Sequence, residues 1–349
     1  MQFGTVMSCS GPLHEDTLEI KPLYDRILEL SIAAERAGVE YLWTQEHHMI
    51  NMLQSPSALI AAVQIAQHTT VRVGTAVVVL PYRNAIQVAG EVAQADNAMN
   101  GRLELGVARG AYGYEFEKFA IPFATSRDNF IETLEAMKLL LENEKTESSF
   151  HGDFVNFDDV YVWPRPVQKP MPPIWLGAQS PAAIEDAARR GYNVMTALFL
   201  WDDDHAANLA AAFKRGQAGS HQQDTKFCVS RYAYVGEDEK DAEARIDELL
   251  DHWRIHQQLH DFSHKANPRG IILPREQENE PSRQKIRDTL MIGTEDHFAE
   301  KAARYADMGV DLLNLGINYG PPHERTLASL GAMSDVIGKV SGATPAVVV

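Results

Sequence analysis

The sequence predicts an α/β protein built as a single (β/α)8 TIM barrel with insertions. Three observations carry this. Short apolar runs alternate with amphipathic helical patterns about eight times along the chain. No linker interrupts the alternation, so the repeated βαβ units demand parallel strands. The chain has 349 residues, against about 250 for a bare barrel, which leaves room for insertions. An open sheet of this length would divide into two lobes.

In order, Gln2–Met7 is a short apolar run expected as a buried strand. Pro22 suits a first helical turn, Leu23, Ile27, Leu30 and Ala34 repeat at helical spacing, and Gly38 stops that helix. Val39–Thr44 is the next strand and Ser55–Gln67 the next helix. Val71–Leu80 is Val-rich and is expected as one strand closed by Pro81. Ala85–Met99 is a helix ended by Asn100-Gly101, and Arg102–Val107 a strand. Phe130, Leu134, Met137 and Leu141 mark a further helix. Ser148–Pro173 breaks the rhythm as a hairpin and a proline-rich connector. Strand Ile174–Gly177, helix Pro181–Arg190, strand Val194–Leu198, helix Asp203–Gly216, strand Lys226–Val235 and a long helix from Glu239 to about His260 follow.

Phe262–Asp288 carries Gly, Pro and many charges without apolar periodicity, so it is not expected to pack as a core element. A stretch this long inside a compact chain reads as a mobile lid before the last strand. Thr294 is placed to cap a helix with Glu295 and Asp296 in its first turn. Strand Leu312–Gly316 and a helix from His323 to about Val336 close the pattern. The expected organisation is one barrel over 1–340, a lid over 262–288 within it, and a tail at 341–349.

Charge and cysteine content exclude several classes. Lys plus Arg number 32 and Asp plus Glu 48, a formal net charge of −16. Such a surface repels phosphate backbones and anionic lipid, so no nucleic-acid or membrane partner is expected. Two cysteines, Cys9 and Cys228, cannot build a disulfide framework or a four-thiolate metal site. No basic, then apolar, leader or membrane-length run is visible, and a cytoplasmic protein is expected.

In such a barrel, chemistry sits at the C-terminal strand ends. The second strand closes with Gln45-Glu46-His47-His48. Adjacent residues diverge, so at most one of the two imidazoles is expected to enter the pocket, as a base or hydrogen-bond donor; packing against the barrel wall is the alternative. Glu46 and the histidines are also metal-ligand types, but no paired helical spacing accompanies them, and no metal is expected. Arg109 follows a strand and precedes Gly110, where it can pair with a phosphate or form a salt bridge across the mouth. Ser180 opens a helix, as an anion site or as an ordinary N-cap. No P-loop or dinucleotide fingerprint is present.

Glu46-His47-His48, Val73-Gly74-Thr75-Ala76 through Leu80-Pro81, Met99-Asn100-Gly101-Arg102, Arg109-Gly110-Ala111-Tyr112, Gln168 to Trp175 and Gly293-Thr294-Glu295 occur in the order and spacing of the bacterial luciferase-like flavin-dependent monooxygenases. The chain resembles that family from residue 2 to about 340, and the luciferase α subunit most closely between Trp43 and Phe119. The resemblance implies an enzyme that binds FMN as FMNH2, delivered by a separate NAD(P)H:flavin reductase. Molecular oxygen would be co-substrate, and a flavin 4a-hydroperoxide would oxygenate an aldehyde, ketone or similar small organic substrate. It also implies a dimer formed through the helices after the early strands.

By the same resemblance His47 is the catalytic residue and His48 its neighbour. Arg109 with Gly110, and Ser180, would hold the phosphate. Glu46, Glu115, and Gln179 in the place of a Glu would complete the cofactor site. Ala76 and Val77 match a cis-linked pair beside the isoalloxazine. Two departures stand out: Ala108 replaces a reactive cysteine, and the aldehyde-site aromatics are not clearly retained around Leu198–Trp201, so light emission is not expected. The alternatives are a deazaflavin-dependent hydride-transfer oxidoreductase and a non-catalytic flavin-binding subunit.

Overall fold

The computed structural model describes residues 1–8, 20–260 and 269–342. Eight strands close a parallel barrel: β1 (Gln2–Met7), β2 (Tyr41–Thr44), β3 (Arg72–Thr75), β4 (Leu103–Ala108), β5 (Ile174–Gly177), β6 (Asn193–Ala197), β7 (Phe227–Val235) and β8 (Leu312–Gly316). Each strand pairs in parallel with the next, and β8 returns to β1 with Phe3 opposite Leu313. The strands are short and apolar on both faces because both are covered, by helices outside and by packed side chains within.

Inside the barrel, Trp43 and Trp175 meet edge to face with centroids 5.2 Å apart, and Tyr41 stacks on Trp43. Glycines on neighbouring strands make the room. A Cβ on Gly74 would fall 2.5 Å from Trp43 Cζ3, and one on Gly106 would fall 1.8 Å from the Thr75 carbonyl oxygen. A polar layer lies at the opposite end from the mouth. Trp175 Nε1 donates to Glu104 Oε2 at 2.6 Å, and Arg72 pairs with Glu104. Burial raises the Glu104 pKa, and Arg72 opposes that rise.

Local signals place the helix starts. Ser57, Asn84, Ser180, Asp202, Ser282 and Thr294 each cap a helix through a side-chain oxygen, Thr294 accepting from His297 N at 3.4 Å. Several sequence motifs prove to be joints of the scaffold. Arg102 donates to four carbonyls, those of Ala66, Thr69, Val71 and Met99, at 2.7–3.1 Å. Gln168 clasps Asp96 through its backbone N and Nε2, both at 2.8 Å.

The structure corrects three expectations. Val71–Leu80 is not one strand. The chain leaves β2 after Thr75, crosses a cis Ala76–Val77 bond, pairs Val78 and Val79 with β4, and turns through Leu80–Tyr82. A short helix, Gly113–Lys118, and a strand, Met291–Gly293, beside β7 are additional. The 262–288 segment is also not wholly without core contacts. Residues 262–268 lie outside the described residues, but Ile272 is buried and Arg283–Thr289 is a helix that buries Ile286. Single anchoring isoleucines carry no periodicity, so the pattern conceals them. Of the 341–349 tail, Ser341 ends the last helix, His323–Ser341, and 343–349 lie outside the described residues.

Candidate active site

The C-terminal ends of β2, β3, β4 and β5 build one face of the mouth. Past β2 the two imidazoles diverge onto different carboxylates. His47 Nδ1 lies 3.2 Å from Glu115 Oε1, and His48 Nε2 lies 3.0 Å from Glu46 Oε1. Both carboxylates are buried. Glu115 comes from the short helix after β4, and its Oε1 also accepts the His48 backbone N–H at 2.7 Å. Glu46 Oε2 accepts from Arg83 at 2.6 Å. Both Glu46 oxygens are therefore engaged within the wall. With Nδ1 donating to Glu115, the His47 tautomer leaves Nε2 available to a ligand. His47 stacks on Tyr112 at 4.6 Å. Burial, with Glu115 and Glu46 nearby, raises the Tyr82 pKa and keeps that phenol neutral.

Arg109 emerges exposed beyond β4. Its guanidinium lies over the Phe123 ring at 4.6 Å, and it makes no ion pair among the described residues. Gly110 has φ +89°, and a Cβ there would lie 2.8 Å from Val79 Cγ1, so only glycine fits this turn. On the neighbouring strand Val107 is level with Leu176, so Gly177, Ala178, Gln179 and Ser180 leave the barrel at the same end as Arg109. Gln179 and Ser180 are exposed, and Ser180 Oγ accepts from Ala183 N at 3.3 Å. Ser180 is thus an N-cap at the start of helix Pro181–Arg189, with that helix's free N–H groups beside it. A Cβ on Gly177 would touch Ala108 Cβ at 3.0 Å and Val77 Cγ1 at 3.6 Å. Ala76 and Val77 are half-buried against the tryptophan cluster.

The opposite face holds residues that sequence reasoning missed. His252, His256 and His260 recur every fourth residue on helix Glu239–His260. Tyr112 meets His256 at 5.7 Å and His260 at 5.1 Å, edge on. Phe199, just past β6, stacks on His256 at 5.1 Å, and Tyr232 of β7 is hydrogen-bonded to His252 Nε2 at 2.8 Å. The i, i+4, i+8 spacing was visible in the sequence; only the packing directs it toward His47. No group of three or more His, Cys, Asp and Glu among the described residues is arranged to hold a metal.

A closed parallel barrel with two histidine–carboxylate pairs, and an arginine without an ion pair among the described residues, at its C-terminal mouth has the architecture of a (β/α)8 enzyme. A profile of the luciferase-like monooxygenases matches residues 1–312, and the chain belongs to that family. It is a flavin-dependent oxidoreductase of the monooxygenase class. It is 31% identical over 324 residues, 90% of this chain and 88% of the other, to the oxygenase component of the flavin-dependent trigonelline monooxygenase of Acinetobacter baylyi. Two solved structures share the fold. The oxygenating constituent of 3,6-diketocamphane monooxygenase from Pseudomonas putida, in complex with FMN, superposes with a TM-score of 0.76 at 16% identity, covering 97% of this chain and 98% of that one. An F420-dependent secondary alcohol dehydrogenase superposes with a TM-score of 0.76 at 18% identity, covering 96% and 98%. No described helix is long and apolar enough to cross a membrane.

Proposed function

We propose that the protein is the oxygenase component of a two-component monooxygenase. It would take FMNH2 from a separate NAD(P)H:flavin reductase and oxygenate a small organic substrate. The observation that carries this is Arg109, without an ion pair among the described residues and followed by Gly110, at the same barrel mouth as the His47–Glu115 pair. The residues present suit FMN. Arg109, Ser180 and the N–H groups opening helix Pro181–Arg189 offer a phosphate site. Glycine at 177 and 110 lets these strand ends pack closely against Ala108 and Val79, and half-buried Ala76 and Val77 with exposed Gln179 are proposed to meet the rest of the cofactor. The bound flavin would supply two electrons to molecular oxygen, one oxygen atom going to substrate and the other leaving as water. This chain's residues would bind and orient it, exclude water, and accept a proton at His47 Nε2. Glu115 orients His47 and Glu46 orients His48, so both act as positioning residues.

The test is anaerobic loading with FMNH2, mixing with oxygen, and a screen for oxygenated product. Slow oxidation to peroxide with no product from any substrate would count against the reading. Arg109→Ala is expected to weaken FMNH2 binding about ten- to a hundredfold, the loss of roughly 1.5–3 kcal/mol for a charged hydrogen-bond pair. Anaerobic titration measures it, and unchanged affinity would remove Arg109 from the site.

The segment before the last strand is proposed as the lid. Its described part crosses the loop after His48: Asn51 N donates to Gly270 O at 3.1 Å, and Ile272 N to Asn51 Oδ1 at 3.0 Å. Ile272 packs with Tyr112, Ile255 and Leu259. Trypsin is expected to cut after exposed Arg275 faster than after Arg283, which is tied to Glu243 and Asp247. FMNH2 plus substrate should slow the first cut. A rate indifferent to ligands would remove the lid. A dimer through helices Ala58–Ala66 and Ala85–Ala98 and a cytoplasmic setting complete the proposal.

A further inference from the structure

The interior of a (β/α)8 barrel is ordinarily filled by Val, Ile and Leu. Here two tryptophans and a tyrosine take that place. Trp43 and Trp175, both buried, meet edge to face at 5.2 Å, and Tyr41 stacks on Trp43 at 5.9 Å. Ala76 and Val77, just past the end of β3, pack on this cluster from the mouth side. Trp43 precedes His47 by four residues, so their Cα atoms lie at most about 14 Å apart. A readily oxidised cluster therefore lies directly beneath the site.

The two indoles differ in what their N–H groups meet. Trp175 Nε1 donates to Glu104 Oε2 at 2.6 Å, and Glu104 Oε1 accepts from Arg72, so both oxygens accept, as in an ionised carboxylate. Burial raises the Glu104 pKa, while Arg72, the Trp175 hydrogen bond and Lys226 oppose the rise. Trp43 Nε1 is buried and has no hydrogen-bond partner among the described residues. An indole that loses an electron becomes a strong acid. At Trp175 an acceptor for the proton is already in place. At Trp43 the positive charge would stay in an apolar cage, which is costly. Tyr41 is a poor end point, because the Lys226 ammonium donates to its hydroxyl at 2.9 Å and lies over its ring at 5.3 Å.

We infer that Trp43 and Trp175 form an electron-donor path for the site: a one-electron oxidant held at the mouth draws an electron from Trp43, Trp175 refills Trp43, and the Trp175 N–H proton passes to Glu104. The inference rests on the flavin-binding part of the proposed oxygenase reading and adds a second activity, one-electron donation, to that site. The oxidant is an oxidised flavin in its light-excited state, which gains the electron. Trp175 loses one electron and one proton, and Glu104 gains the proton. A soluble thiol or ascorbate supplies the electron that restores Trp175, and Glu104 gives the proton back. The path draws the oxidising equivalent away from His47 and Tyr112. It ends at the N-terminal face of the barrel, where the Arg72 side chain is 34% exposed.

Flash photolysis of the protein saturated with oxidised FMN, with oxygen excluded, tests this. A deprotonated indolyl radical is expected, told from the protonated cation radical by its visible absorption. Trp43→Phe should abolish it and brighten the bound-flavin fluorescence. Trp175→Phe, which reads the same path should the first variant fold poorly, should leave only a protonated cation radical that decays faster. Glu104→Gln should also stop at the cation radical, because an amide accepts the hydrogen bond but not the proton. Trp163, Trp201 and Trp253 are the other tryptophans, and replacing each with Phe should leave the signal unchanged. FMN affinity, titrated beforehand, should be the same in all variants. A protein that binds no flavin would sink the oxygenase reading, and this inference with it. Bound flavin that yields no indolyl radical, or only tyrosyl radicals, would overturn this inference alone. So would a deprotonated radical that survives Trp175→Phe or Glu104→Gln.

Discussion

Replacing His47 with Asn is expected to lower single-turnover oxygenation by about 10²- to 10⁴-fold, or roughly 3–5.5 kcal/mol in the barrier, while FMNH2 affinity stays the same. The reason is the direction of its ring. Nδ1 is held by buried Glu115, Tyr112 stacks on one face, and Nε2 is left for the reacting groups. His48 is turned the other way, onto Glu46, which Arg83 also holds. His48→Asn should therefore cost far less. Glu115→Gln should fall between them, because an amide can still accept from the ring but cannot offset a charge on it. Small, equal losses at positions 47 and 48 would overturn the assignment.

Gly106→Ala is expected to destabilise the fold by about 4 kcal/mol or more, without touching the site's chemistry. The added methyl would sit 1.8 Å from the Thr75 carbonyl oxygen, in a barrel wall where Thr75 Oγ1 also donates to the Gly106 carbonyl at 2.7 Å. Neither backbone can retreat without breaking the β3–β4 junction. Gly90→Ala is the matched control. That residue lies within helix Ala85–Ala98 with nothing within 4 Å of its Cβ position, and the change should add about 0.5–1 kcal/mol of stability. Thermal unfolding of the two variants measures both. A Gly106→Ala protein as stable as the original would contradict the packing described for the barrel wall.

The barrel was legible because its cause is local and repeated. Eight apolar runs, each followed by a helical stripe, leave few ways to bury both faces of every strand, and the capping residues mark where each helix starts. Elements with no pattern to read were lost. Met291–Gly293 is three residues long, and Gly113–Lys118 is a helix too short to show a period. The Val-rich run at 71–80 misled for the opposite reason. Its composition suits one strand, but at Ala76–Val77 the chain loses its pairing with β2 and resumes only that with β4, a break that hydropathy does not record.

The sequence by itself determined the fold class, the strand ends that form the barrel mouth, and the residue types found there, because periodicity and turn chemistry act over a few neighbours. Only the tertiary structure decided what each polar group does, because that depends on partners far along the chain. Glu46 and Glu115, both read as cofactor ligands, turn their oxygens onto His48, Arg83 and His47, as much as 68 residues away. Arg102 and Gln168, parts of the motifs that carried the resemblance, spend their hydrogen bonds on the scaffold. His252, His256 and His260 form a plain helical stripe until β6, β7 and the loop after β4 bring Phe199, Tyr232 and Tyr112 against it. A buried hydrogen-bonding atom needs a partner, and the partner is set by where the closed barrel places each strand end, which no short window of sequence contains.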